Sequence, residues 1–432
     1  MTFRYILQSY WEFVFRSKNA SRIGWKAALT PFSFRIPRGE EGSLKMVLHG
    51  IRRAFRLILS KEQGPTMVQG PYLIVDEVAS NGNARLAYVN SLADGTAEFI
   101  AMDALRPSGS AWARTILCLE VALLLLLLSP YLLFHRKNRA GIALIAHDYV
   151  LLSLLDRYVA EAGITRIHWF GGFERTAPLL IHYFIQYRRV EVYLVPSANP
   201  IRNFYQQVVA SVFVFTMPFQ ASEYEELKAD WAIERTMSWP LAGHEQLRSR
   251  ADRSTAPRTI GFISSGNWLR EIMGRNQSDP AIFKSEPIAL EWCLAFVKRH
   301  PDHRLVILLH PLERSTPERL AQSLAYYVGL GIAPQDVLSD TRISVTPETV
   351  DVTVSLYSSA TFERLYAGYK GVFAQPGFGP NYFPGAIDGV VALEQSAFNA
   401  LLERVLHLTA EAYFSDLGLQ DYRWDSTKLQ VS

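Results

Sequence analysis

The residues predict an α/β protein with two doubly wound halves, and three observations carry that prediction. From residue 140 onward, short runs rich in Val, Ile, Leu and Phe alternate with amphipathic stretches, the pattern of strand–helix units around a parallel sheet. The alternation occurs twice, separated by a charged stretch at 244–258 that lacks apolar periodicity and contains Ala256-Pro257. At 432 residues, 49% of them hydrophobic and 20% charged, the chain is too long for one ordinary core and too apolar to be disordered. Mean hydropathy near zero argues against a polytopic membrane protein, and the absence of a short-period repeat excludes a solenoid.

Residues 1–113 are expected to form a basic region with a small antiparallel β unit. Residues 1–62 hold 12 Lys and Arg against 4 Glu, a balance of +8, which leaves −5 for the rest of a chain whose total is +3. These cations are interleaved with Phe, Trp, Tyr and Leu, a mixture suited to an anionic membrane surface or to nucleic acid. No nucleic-acid module accompanies them and a membrane-length run follows, so the membrane surface is the expected partner and nucleic acid is not. A solvated basic face on an ordinary small domain is the alternative. Strands are expected over 72–78, 84–89 and 97–102, with turns at Asn81-Gly82-Asn83 and Asp94-Gly95 that suit antiparallel pairing.

Residues 114–139 comprise an apolar helix and a basic anchor. The run 115–134, with six consecutive leucines from Leu123 to Leu128, is long enough to span a bilayer. Glu120 inside it and Pro130 near its end weaken a simple span. Both flanks are basic, and one span cannot place both on the cytoplasmic side. A helix lying along the cytoplasmic leaflet satisfies both flanks, while a helix buried in the protein core satisfies the apolar run equally well. Cys118 and Cys293 are the two cysteines, so a disulfide framework is excluded and a reducing compartment expected. Residues 1–10 lack the apolar core of a secretory signal.

The first half, residues 140–257, starts with an expected strand at 142–146 ending at His147-Asp148, followed by a helix over 151–162. Strands at 167–170, 190–195 and 212–216 continue the series. The second half, residues 258–432, has expected strands at 259–263, 305–309, 352–356 and 371–374, with helices at 288–299, 317–330 and 361–369. Two such sheets facing one another would form a cleft.

Ligands of open parallel sheets sit beyond the carboxyl ends of the strands, which singles out three places in the second half. His310-Pro311 follows the strand at 305–309. The histidine can hydrogen-bond a phosphate as imidazolium or protonate a leaving group, although a plain turn uses the same pair. Ser358 and Ser359 stand where a strand meets a helix, as an anion site or as ordinary helix caps with Glu363 near the first turn. Ser264, Ser265 and Gly266 form a small-residue loop that lets a backbone approach a ligand. In the first half, Asp148 and Glu174 are the acids nearest a strand end and the candidate general bases, with helix capping the alternative for Asp148.

The stretch Val306-Ile-Leu-Leu-His-Pro-Leu-Glu313, followed by Asp351-Val-Thr-Val-Ser-Leu-Tyr-Ser-Ser-Ala-Thr-Phe-Glu363, resembles bacterial GT-B glycosyltransferases of surface and capsular polysaccharide synthesis. It is most similar to sialyltransferases and polysialyltransferases, and more distantly to CDP-glycerol glycerophosphotransferases. The resemblance covers about residues 259–374. It implies a GT-B fold, two Rossmann-like domains facing a cleft. It also implies that His310, Pro311, Ser358 and Ser359 bind the phosphate of a cytidine-activated donor, with Glu363 near its ribose. Sialyltransferases of this kind carry an acidic pair followed by glycine in the first domain. No such triplet occurs between Arg139 and Arg258, and Glu40-Glu41-Gly42 lies in the basic arm.

The resulting expectation is a metal-independent transferase, without Asp-x-Asp and without a cofactor. It would move a sugar or sugar-like unit from a CMP- or CDP-linked donor to a surface polysaccharide or lipid-linked acceptor. It would act at the cytoplasmic face of the inner membrane, attached peripherally or monotopically. A UDP- or GDP-sugar enzyme is one alternative, and a non-catalytic GT-B-like component of a polysaccharide assembly complex is another.

Overall fold

The computed structural model describes residues 1–15, 44–60, 71–76, 98–101, 105–107, 111–134, 139–171, 176–196, 209–215, 235–238, 258–273, 280–339, 350–366, 368–378 and 385–420. The chain divides into two compact units, the first chiefly residues 1–215 and the second chiefly residues 238–430. Most of the stretch at 244–258 lies outside the described residues.

One sheet organises the first unit. Its strands are β1 (Tyr72–Asp76), β2 (Glu98–Ala101), β3 (Arg166–Gly171), β4 (Glu191–Pro196), β5 (Val212–Phe215) and β6 (Arg235–Ser238), in the order β2-β1-β3-β4-β5-β6. β1 runs parallel to both β2 and β3, and β4 runs parallel to β3 and β5. The expected antiparallel unit is therefore corrected, because β1 and β2 are the first strands of a doubly wound sheet. Leu73, Ile74 and Val75 are all buried, so both faces of β1 are covered as a parallel strand requires. The expected strand at 84–89 lies outside the described residues.

Among the described residues this unit also holds helices α1 (Thr2–Phe15), α2 (Leu44–Leu59), α3 (Ala111–Phe134), α4 (Arg139–Ala162) and α5 (Thr176–Tyr183). The expected strand at 142–146 is instead part of α4. Leu144, Ile145, Ala146, Tyr149, Val150, Leu151, Leu152 and Leu155 are all buried, and a helix apolar on every side offers no period to separate it from a buried strand. α2 packs on α3 and α4. After α5 a single π-helical turn, Phe184–Arg188, is closed by Arg189 at φ 54°, and Arg188 pairs with Asp156 of α4.

The second unit contains the four strands and three helices expected of it and adds two short strands and three helices. β7 (Thr259–Ile263), β8 (Arg304–Leu308), β9 (Val337–Leu338), β10 (Val352–Ser355), β11 (Lys370–Ala374) and β12 (Val391–Ala392) form a sheet of order β12-β11-β10-β7-β8-β9. All its pairings are parallel. Its helices are α6 (Asn267–Ile272), α7 (Pro280–Arg299), α8 (Pro317–Gly329), α9 (Ser359–Tyr366), α10 (Gln395–His407) and α11 (Ala410–Asp416). α7 starts before the expected Ile288, because the helix continues through Pro287, a residue that usually marks a boundary. α8 begins where the hydroxyl of Thr316 accepts the Arg319 N–H and Pro317 occupies the first helical position. Ile260, Phe262, Ile307, Val352, Val354 and Phe373 fill the core. The buried ammonium of Lys370 donates to the carbonyls of Val405 and Leu408 at the end of α10.

Candidate functional site

Counted from β7, the second sheet has the order 3-2-1-4-5-6, so the chain winds outward from β7 on one side and returns at β10 on the other. The crevice beyond the carboxyl ends of these two strands is where doubly wound sheets take nucleotides. Residues 264–267 follow β7, residues 356–358 follow β10, and His310 follows β8 one position further along the same edge. A chain of contacts links all three. The Tyr357 hydroxyl donates to Asn267 Oδ1 at 3.2 Å, and Arg270 Nη1 donates to the same oxygen at 3.1 Å. Arg270 Nη2 then lies 3.4 Å from His310 Nε2.

His310 caps a single 3₁₀ turn, Pro311–Arg314. Its Nδ1 accepts the Leu312 N–H at 3.0 Å, and Glu313 Oε2 accepts the His310 N–H at 2.7 Å. Pro311, exposed at the first position of the turn, offers no N–H to compete. An Nδ1 that accepts cannot carry a proton, so the neutral ring holds its proton on Nε2. Burial first, and then the charges of Arg270 and Arg314, push the imidazole down to about 3. The imidazolium expected for His310 is therefore replaced by a neutral ring that donates from Nε2. Because Arg270 also only donates, Nε2–H and Nη2–H face each other with a shared need for an acceptor.

The loop 264–267 is closed on its own chain. Glu286 of α7 accepts the N–H of Ser265 at 2.5 Å, the N–H of Asn267 at 2.9 Å and the Ser264 hydroxyl at 3.1 Å. The Gly266 N–H donates to Ser264 Oγ. These amides face a buried carboxylate, which corrects the expectation that the loop's backbone receives the ligand. Gly266 suits its place by conformation: its φ is 65°, in the left-handed region that L side chains rarely adopt. What this loop offers outward is Arg270, one turn into α6 and braced by the Ser265 carbonyl at 2.6 Å.

A second buried carboxylate, Glu313, accepts the indole N–H of Trp268 at 2.5 Å and the Tyr327 hydroxyl at 2.9 Å. Tyr327 lies equally near Ser264 Oγ, so hydroxyls bridge the two acids. Burial, then repulsion from Glu313, pushes Glu286 up to about 7, and burial raises Glu313 as well. Glu286, Glu313, Arg270 and Tyr327 carry no motif that marked them in advance. Only Glu313 stood in a quoted stretch. Its spacing of three from His310, which suits a capping box, was the available signal.

Ser358 is the N-cap of α9, with Oγ accepting the Ala360 N–H at 3.3 Å. The capping alternative therefore holds, and the hydroxyl proton remains able to donate. Ser359 and Glu363 lie on α9 by their backbone, but their side chains lie outside the described residues.

In the first unit the strand order reverses between β1 and β3. Asp76 is the last residue of β1, paired in register with Phe170 near the end of β3. Sequence reading missed it because the strand was assigned to an antiparallel unit. Glu174, between β3 and α5, lies outside the described residues. Asp148 is corrected: it is a buried residue in the middle of α4, neither at a strand end nor a helix cap, with its Oδ1 3.8 Å from His147 Nδ1. Among the described residues no cluster of His, Cys, Asp or Glu could hold a metal.

No protein-family model matches the chain, and no curated protein matches it in sequence. Several solved structures are similar in fold. A UDP-forming α,α-trehalose-phosphate synthase from Burkholderia xenovorans has 10% identity and a TM-score of 0.44, covering 82% of this chain and 95% of that one. A sucrose-phosphate synthase from Thermosynechococcus elongatus has 13% identity and a TM-score of 0.43, covering 82% and 94%. A UDP-GlcNAc 2-epimerase from Neisseria meningitidis, bound to UDP-GlcNAc, has 12% identity and a TM-score of 0.44, covering 81% and 95%. Likenesses at this level carry no argument about activity, which rests on the residues at the strand ends.

Proposed function

We propose that the second unit binds the phosphate of a nucleotide-linked sugar and that the chain is a glycosyltransferase. The observation that carries this reading is the facing pair of donors, His310 Nε2–H and Arg270 Nη2–H, 3.4 Å apart beside the point where the strand order reverses. One anionic oxygen satisfies both. A neutral imidazole and a guanidinium fixed before the reaction stabilise charge developing on a departing phosphate, and loss of one such donor costs about 10²–10³ in rate. A bound metal fills that role in other transferases. Here Arg270 supplies the positive charge, which supports metal independence. The Ser358 hydroxyl is a further donor at the neighbouring strand end.

The finer reading keeps a cytidine nucleotide as donor and a surface polysaccharide or lipid-linked glycan as acceptor. It rests on the resemblance of the stretches around His310 and Ser358. An acceptor hydroxyl needs a base, and Asp76 is the acid to test. The deciding experiment is calorimetric titration of the full chain with CMP, CDP, UDP, GDP and cytidine, in EDTA. Binding of CMP or CDP that weakens about tenfold or more in Arg270→Ala and His310→Ala, with cytidine unaffected, is the expected result. Unchanged affinity in both variants overturns the phosphate site. Preference for UDP or GDP overturns the cytidine assignment alone. Binding without transfer or donor hydrolysis identifies a non-catalytic component.

A further inference from the structure

We infer that the outer face of α3 is a docking surface for an anionic lipid leaflet, with the helix lying in the membrane plane rather than crossing it. α3 carries two apolar stripes. Leu117, Val121, Leu124 and Leu128 are buried in the core of the first unit beside α4. Almost opposite them, Trp112, Ile116, Leu119, Leu123, Leu126 and Leu127 are exposed, with Trp112 at 70%, Leu119 at 63% and Leu126 at 68%. The exposed stripe extends about 22 Å along the helix at 1.5 Å per residue. A helix with one side built into a folded unit cannot cross a bilayer alone, yet an apolar stripe of this length is not what a water-facing helix carries.

The polar groups of α3 are arranged for that environment. Glu120, the one carboxylate in the run, turns inward and accepts the Tyr149 hydroxyl of α4 at 2.7 Å. Thr115 returns its hydroxyl to the Ala111 carbonyl and Ser129 to the Leu126 carbonyl, so neither needs water. Charge selects the occupant. α2, packed on α3, exposes Lys45, Arg52 and Arg56 together with Leu44 and Leu48. Beyond α3 the sequence continues as His135-Arg-Lys-Asn-Arg139. Apolar side chains entering the acyl boundary and cations meeting headgroups are the two forces that hold an in-plane helix. Both basic flanks then lie on one side, which a single span forbids.

Flotation of the full chain with vesicles of phosphatidylcholine alone, and of phosphatidylcholine mixed with phosphatidylglycerol, tests this inference. Wild-type protein is expected to float with the mixed vesicles. The triple variant Leu119→Asn, Leu123→Asn, Leu126→Asn is expected to bind them about tenfold more weakly or less. Its thermal unfolding should match wild type, since none of the three side chains is buried. A second readout separates plane from span: spin labels on Ile116→Cys, Leu123→Cys and Leu127→Cys should report one shallow depth. Equal flotation of the variant, equal binding to both vesicle types, or depths that progress across the bilayer would each overturn the inference. So would a variant that loses self-association while neither protein floats, because the face would then belong to a second copy.

Discussion

Glu313 holds His310 by its backbone, accepting its N–H at 2.7 Å, while the His310 ring accepts the N–H of Leu312 at 3.0 Å. The two bonds close a capping box on a turn of four residues. Together they fix the ring's tautomer and aim Nε2 toward Arg270.

Removing Glu313 should therefore be costly. In Glu313→Ala three donors lose their acceptor, the His310 N–H, the Trp268 indole and the Tyr327 hydroxyl. Urea unfolding is expected to show a loss of about 3 kcal/mol or more. Glu313→Gln keeps one acceptor oxygen and should lose less. Equal losses in the two variants would show that the bonds do not matter individually.

The buried acids predict a stability that declines with pH. Glu286 is raised from 4.5 to about 7, so the folded state holds a proton that the unfolded chain releases near 4.5. Its contribution is complete below about 4.5 and is lost as pH rises through about 7, by about 3 kcal/mol. Unfolding midpoints of wild type and Glu286→Gln across this range are expected to diverge, with the flatter profile in the variant. Parallel profiles would refute the assignment.

His310 has the opposite sign. Its ring is depressed to about 3, so its contribution is complete above about 6.5 and is lost as pH falls towards 3. Its imidazole resonances, assigned by their disappearance in His310→Gln, should not move between pH 5 and 8. A titration centred near 6.5 would restore the imidazolium.

Gly261 of β7 tests the packing beneath the site. A Cβ there would lie 2.7 Å from Val350 Cγ1 and 3.2 Å from Leu308 Cδ1. Gly261→Ala should cost about 1–3 kcal/mol through overpacking. The double variant with Val350→Ala is expected to lose less than the sum of the single losses. Strict additivity of the two would count against the contact.

Among the first unit's candidate acids, Asp76 and Asp148 lie in described elements and Glu174 lies outside the described residues. Asp76→Asn is expected to lower transfer about 10²–10⁴-fold with donor binding intact. Asp148→Asn, inside α4, should alter stability rather than the chemical step. The reverse pattern would return the base to α4.

Much of the second unit was legible because its strands are short apolar runs bounded by good helix signals. Thr316-Pro317 announces α8, and residues 352–356 precede a small-residue cap. The first unit was less legible at two places for one reason. Residues 144–146 and 73–75 are buried at every position, and burial removes the alternation that distinguishes helix from strand and shows strand direction.

By itself the sequence determined the α/β class, four of the six strands and three of the helices described in the second half, and the strand ends at Ser264, His310 and Ser358. Local propensity and apolar period are properties of neighbouring residues. Only the tertiary structure decided that Glu286 fills the loop at 264–267, that Glu313 positions a neutral His310, and that Arg270 faces it. It also decided that α3 buries one apolar stripe and exposes the other. Glu313 lies only three residues from His310, but the other outcomes depend on partners tens of residues apart, and burial by those partners sets protonation and selects one face of a helix that is apolar on both.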